Sequence, residues 1–151
     1  MMKGAIKANN KALDKAMAIA LGKEAMTAIG ELGATIIQNR SLQGVDAGGK
    51  SFVPYTKEYL KRKAASGRSA RPNLTWSGRM LGSIISSYQR AGLVHIIFSR
   101  AEEALKALGI QSDARKNPRE FFDIRLPREV AQLQAELNRQ AGLALKKAGL
   151  I

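Results

Sequence analysis

The stretch ISSYQRAGLVHIIFS, residues 85–99, decides the fold class. Its two runs, ISSYQR and LVHIIFS, carry the β-branched and aromatic side chains that favour strands. Arg90, Ala91 and Gly92 supply the turn between them. The second run is the more apolar and reads as the central strand. Everything on either side reads as helix or loop, so a small antiparallel β meander at about 83–99 sits in an otherwise helical chain. The expectation is an α+β fold.

Upstream, LTWSGRMLGSI reads as a turn entering a short helix, with Ser77 as its N-cap. Residues 55–66 form a second short helix, capped by Thr56, with Tyr55, Tyr59 and Leu60 facing inward. Residues 67–73 are a loop. Residues 41–54, SLQGVDAGGKSFVP, are a loop made mobile by Gly44, Gly48 and Gly49, whose end Phe52 and Val53 tack to the body. Residues 3–40 read as one long helix. Its apolar positions are Ile6, Leu13, Met17, Ala20, Leu21, Ala28, Leu32 and Ile36, and its lysine stripe is Lys3, Lys7, Lys11 and Lys15. Gly22, Gly30 and Gly33 mark a kink or a close crossing with another helix.

Downstream, residues 100–108 form a short helix, followed by a polar loop and the PREFFDI segment with Phe121 and Phe122. Pro127 opens a C-terminal helix to about Ala148, with Val130, Leu133, Leu137, Ala141 and Leu145 on one face. The chain of 151 residues makes a single domain, 1–151.

With 45% hydrophobic residues and only 5% aromatic ones, alanine and aliphatic side chains do most of the packing. The absence of cysteine excludes disulfides and thiolate chemistry. Charges recur through the first 25 residues, which makes them a poor signal peptide, and the uncharged run Ala16–Gly22 is too short to cross a membrane. The net charge of +13 points to an acidic protein surface, a nucleic acid or an anionic membrane, or serves solubility alone.

No catalytic set emerges, and no cofactor is expected. His95 lies inside the apolar strand pattern with no acid placed beside it. Glu102 and Glu103 are neighbours on a helix and point apart. Asp113, Glu120 and Asp123 each have a basic neighbour in sequence, as surface ion pairs do. One histidine and no cysteine leave little from which to build a metal site. Gly44, Gly49, Lys50 and Ser51 match the spacing of a phosphate loop. However, the preceding segment is helical and Phe-Val-Pro follows, whereas a phosphate loop joins a buried strand to a helix.

The charge concentrates in residues 57–79, where Lys57, Lys61, Arg62, Lys63, Arg68, Arg71 and Arg79 face a single acid, Glu58. Seven positive charges less one negative give +6, nearly half the excess of the whole chain. Such a segment can follow a phosphate backbone without reading bases. Tyr55, Tyr59 and Trp76 either stack on bases or belong to the core.

Taken in order, these features resemble the virion morphogenesis proteins of tailed phages, the neck or tail-completion family. The matching residues are Asp46-Ala47-Gly48-Gly49, Phe52, Pro54-Tyr55-Thr56, Leu74-Thr75-Trp76-Ser77-Gly78-Arg79-Met80-Leu81-Gly82-Ser83-Ile84 and Pro118-Arg119-Glu120-Phe121. The Tyr-Ala-x-x-His-x-x-Gly stretch that such proteins often carry after the strand pair is absent, and residues 101–109 stand in its place.

The resemblance implies a non-enzymatic structural protein that forms a homo-oligomeric ring between head and tail. It would be assembled in the host cytoplasm and located in the virion neck or tail. Its partners would be other neck, portal-adaptor or tail proteins, with no membrane. Gly44, Asp46, Gly48, Gly49, Phe52, Pro54 and Tyr55 would form a subunit-contact loop, extended on Gly48 and Gly49 and anchored at Phe52. The seven basic residues would face an acidic ring partner or the packaged DNA. The alternative is a nonspecific nucleic-acid-binding protein that uses the 57–79 segment.

Overall fold

The computed structural model describes residues 2–75, 77–112 and 118–151, with the backbone alone for residues 2–10. Trp76, Asp113 and Asn117 lie outside the described residues, as do the side chains of Lys3, Ile6 and Lys7. The elements in order are α1 (Met2–Ala20), α2 (Lys23–Leu42), α3 (Lys57–Ala65), α4 (Arg79–Gly82), β1 (Ile84–Arg90), β2 (Leu93–Phe98), α5 (Ala101–Gln111) and α6 (Pro127–Ala148). Mixed helix and strand, with long helices at both ends, is the class the sequence indicates.

The long N-terminal helix is bent, and its three glycines divide the work. Gly22 is the break. It leaves the helical region (ψ 172°) and caps α2. A Cβ there would stand 2.8 Å from the Ala18 carbonyl oxygen, so the bend needs glycine. Gly30 and Gly33 mark a close crossing, but the partner is the sheet rather than a second helix. A Cβ on Gly30 would lie 2.6 Å from Val94 Cγ2, and one on Gly33 would lie 2.6 Å from Ile96 Cδ1.

β1 and β2 form a two-stranded antiparallel hairpin, with Ile84 opposite Phe98 and Ser86 opposite Ile96. Gly92 turns it with φ +72° and donates its N–H to the Leu21 carbonyl, which pins the tip to the helical bend. β2 is therefore not a central strand. Its inward residues Val94, Ile96 and Phe98 lie against the helices, while His95 and Ile97 face out and are exposed. The apolar run reads as buried on both faces, but only one face of this hairpin is covered.

The core gathers Ala34, Ile37, Phe52, Met80, Leu81, Ile84, Ala107 and Phe121. Gln38 of α2 holds α4 and the start of β1 by donating to the carbonyls of Leu81 (3.0 Å) and Ile84 (3.2 Å). Gln111, at the end of α5, accepts from the amides of Phe121 and Phe122. On α1 the sequence pattern is out of phase. Ala16 is buried, whereas Leu13 and Met17 are 48% and 52% exposed.

α6 runs antiparallel to α2. Arg40, in the last turn of α2, meets Glu129, in the first turn of α6, at 2.5 Å. At the other end Glu24 faces Lys147 at 3.8 Å. The Arg40 pair is fully buried, and the Arg40 guanidinium also donates to the carbonyls of Phe121 (2.5 Å) and Asp123 (2.6 Å). Each charge stands at the helix end whose dipole favours it. On α6, Glu129 and Ala144 are the buried residues, while Val130 and Leu137 are exposed. The apolar face drawn from the sequence is therefore only partly covered.

Removing one partner of a buried ion pair strands the other charge. Arg40→Ala should cost about 3–5 kcal/mol of unfolding free energy, measured by urea denaturation. The glycines provide a second check. Gly30→Ala should destabilise by about 1–3 kcal/mol despite alanine's higher helix propensity, because Val94 and Ser86 must move. Gly142→Ala, with open space around it in α6, should stabilise by about 0.5–1 kcal/mol.

Candidate functional site

The segment that joins α2 to α3 folds back on itself as a closed turn. Val45 and Ser51 form a β-bridge. Asp46 Oδ1 accepts from the amides of Gly48 and Lys50, both at 2.8 Å, and Gly49 takes φ +83°. The buried Ala47 donates its N–H to the Glu120 carbonyl at 2.7 Å, which fastens the turn to the segment before α6. α2 itself runs to Leu42 and shortens the loop. The glycines thus provide turn geometry rather than reach. Gly44 (φ +77°) is buried beneath Arg71 and Pro72. Phe52 anchors the return in the core as expected, whereas Val53 is exposed.

The same geometry answers the phosphate-loop spacing. Helix α2 precedes it, and the next helix begins only at Lys57. The Gly48 and Lys50 amides, which would cradle a phosphate, are taken by the Asp46 carboxylate.

Thr56 caps α3 by accepting from the Tyr59 amide at 3.3 Å. Ser77 is not the N-cap of α4. Gly78, at φ +75°, holds that position, and Ser77 Oγ accepts from the Arg79 amide at 3.4 Å.

Of the seven cationic residues, Lys57, Lys61, Arg62, Arg68, Arg71 and Arg79 are exposed. Lys63 is not: it is 0% exposed, so it faces neither DNA nor a partner. Its ammonium lies 4.8 Å from the Tyr55 ring centroid and 3.4 Å from both the Arg71 carbonyl and Asn73 Oδ1. The stem packs inward and the head tethers the 67–73 loop. Burial, together with Arg68 nearby, lowers its pKa below 10.5. Burial pushes the Tyr55 hydroxyl up.

Between α3 and α5 lies an open cleft of about 970 Å³. Tyr55 and Tyr59 stand 4.6 Å apart on the α3 side. Arg62 lies over the Tyr59 ring at 5.5 Å, and Arg119 over the Tyr55 ring at 5.0 Å. Arg119 also donates to the Val53 carbonyl at 2.9 Å. The α5 side carries Glu103, whose buried carboxylate meets Lys106 Nζ at 2.9 Å. Leu74, Met80 and Ile110 add apolar surface to the lining.

The structure thus brings Pro54, Tyr55, Tyr59 and Arg62 together in one place. It leaves the 44–51 turn outside that cleft, against the 120–126 segment. Glu103, Lys106 and Arg119 are cleft residues that sequence reading misses. Glu103 looks like any acid in a first helical turn, and only the fold shows it buried. Glu120 and Asp123 form exposed pairs with Arg125, as their sequence neighbours suggest. Among the described residues, no group of three or more metal-ligating side chains is close enough to hold an ion. No helix among them is long and apolar enough to cross a membrane.

Compared with protein-family models, curated proteins and solved structures, the chain finds no match.

Because a buried lysine with a lowered pKa opposes folding while it is charged, raising the pH towards 10.5 should relieve that cost and increase stability. Lys63→Met should be at least as stable as the parent at pH 7 and should show a smaller rise between pH 8 and 10. Urea melts of both proteins across that range read the difference.

Proposed function

We propose that this protein is a structural assembly component that works as a homo-oligomeric ring, of the kind that joins head to tail in tailed phages. The observation that carries the reading is its surface. It leaves large apolar side chains outside on several elements: Leu13 and Met17 on α1, Leu105 (69%) and Leu108 (66%) on α5, and the outward cross-strand pair Ile85 and Ile97. Single exposed apolar side chains are ordinary on a monomer, but neighbouring pairs of them on three elements suit a subunit covered by neighbours. The order of sequence features shared with neck and tail-completion proteins supplies the phage context. The mechanism is binding geometry, with preformed surfaces meeting at the head–tail joint.

A second reading is supported by the six exposed cations of the 57–79 segment. It is nonspecific contact with nucleic acid through phosphates.

Disrupting the gene in a phage or prophage that carries it should leave DNA-filled heads apart from unattached or misassembled tails in electron micrographs of the lysate. Normal infectious particles would overturn the neck reading. For the second reading, log K for duplex DNA should fall linearly with log salt. Lys57→Glu, Lys61→Glu and Arg68→Glu together should flatten the slope by about 2–3. An unchanged slope would remove the segment as a phosphate contact.

A further inference from the structure

The cleft between α3 and α5 joins an apolar lining to a cationic rim, and its cations are unevenly used. Arg62 and Arg119 each lie over a tyrosine ring, yet neither has a carboxylate partner among the described residues. Lys106, 59% exposed at the side chain, spends one ammonium contact on Glu103 and turns the rest to solvent. Rings hold the two guanidiniums in place before any ligand arrives, which lowers the cost of ordering them on binding.

We propose that this cleft binds an extended acidic peptide of a partner protein. An apolar side chain of the peptide rests on Leu74, Met80 and Ile110, and flanking carboxylates pair with Arg62 and Arg119. Charge complementarity selects this occupant over a nucleic acid strand. A strand would stack its bases on the aromatic rings, but Tyr55 already has Lys63, Arg119 and Tyr59 against it. The buried Glu103 carboxylate on the facing wall would repel a phosphate backbone, which places a charge at every nucleotide. A peptide can space its carboxylates away from Glu103 and put a neutral side chain there. Its apolar anchor also gains from the lining, which a phosphate cannot use.

The proposal extends the assembly reading by naming the chemistry of a partner. Its test uses the isolated protein, so failure here leaves the ring reading to the lysate experiment. The probe is a fluorescein-labelled peptide, Glu-Asp-Leu-Phe-Asp-Glu, followed by anisotropy and by methyl NMR of the full chain. Saturable binding should shift the methyl resonances of Leu74, Met80 and Ile110. Affinity should fall about tenfold or more in the Arg62→Glu variant, which changes an exposed side chain with no ion-pair partner among the described residues. Replacing the peptide's Leu and Phe by Ser should weaken binding to a similar degree. The proposal is overturned by absence of binding up to about 1 mM, by binding that ignores either change, or by oligothymidylate displacing the peptide from those methyls at lower concentration.

Discussion

The structure depends on one buried guanidinium. Arg40 sits where three pieces of chain converge: the end of α2, the start of α6 and the strap before it. Placing a charge there costs several kcal/mol of desolvation, which only well-directed partners can offset. Glu129 and the carbonyls of Phe121 and Asp123 are those partners, while Arg40 Nε has none among the described residues. An apolar pair of similar volume could be as stable. What the ion pair adds is discrimination, because a helix sliding by a full turn of about 5.4 Å along α2 would take Glu129 out of reach and leave two buried charges unpaired. The consequences spread outward. With the strap held, Phe121 enters the core, and the Glu120 carbonyl is presented to the Ala47 amide, which folds the 44–51 turn against the body.

Local chemistry made much of the fold readable. Pro127 at a helix start, Thr56 as a cap and Gly92 at the hairpin turn each act through their own backbone neighbours, so sequence alone identifies them. What was not readable was decided by partners distant in the chain. Gly30 and Gly33 announced a close approach, but nothing local says that Val94 and Ile96, more than sixty residues away, are what approaches. The apolar stripe of α6 predicted its inward face from hydrophobicity, but the buried positions include Glu129, whose partner Arg40 lies far away in the chain. Lys63 is the converse case. Its neighbours Lys61 and Arg62 are exposed, and a run of like charges reads as a solvated face until a helix of 3.6 residues per turn carries one member inward.

The candidate site shows the same division. Tyr55, Tyr59 and Arg62 belong to one helical neighbourhood and could be grouped on sequence. The opposite wall comes from α5 and from Arg119, and only tertiary folding brings it near. Reading the cations as one cluster also blurred three roles. Lys63 tethers a loop beneath the surface, Arg62 lies on a ring at the cleft, and Lys57, Lys61, Arg68, Arg71 and Arg79 face solvent.

These roles bear on the proposed assembly. A glycine-rich loop that orders only on contact would lose part of its binding energy to lost chain entropy. Here the 44–51 turn has its amides satisfied by Asp46 and its middle fastened to Glu120 before any partner arrives. The apolar side chains left outside stand on helices and on a hairpin pinned at its tip. Docking through such elements resembles rigid-body contact, in which shape and charge are set in advance and little is spent on ordering. A net charge of +13 then has a consequence for symmetry. Like copies repel at long range, so the proposed ring would close most readily where an oppositely charged neighbour screens the basic faces. Assembly on an acidic partner, rather than spontaneous closure in solution, is what that electrostatic balance favours.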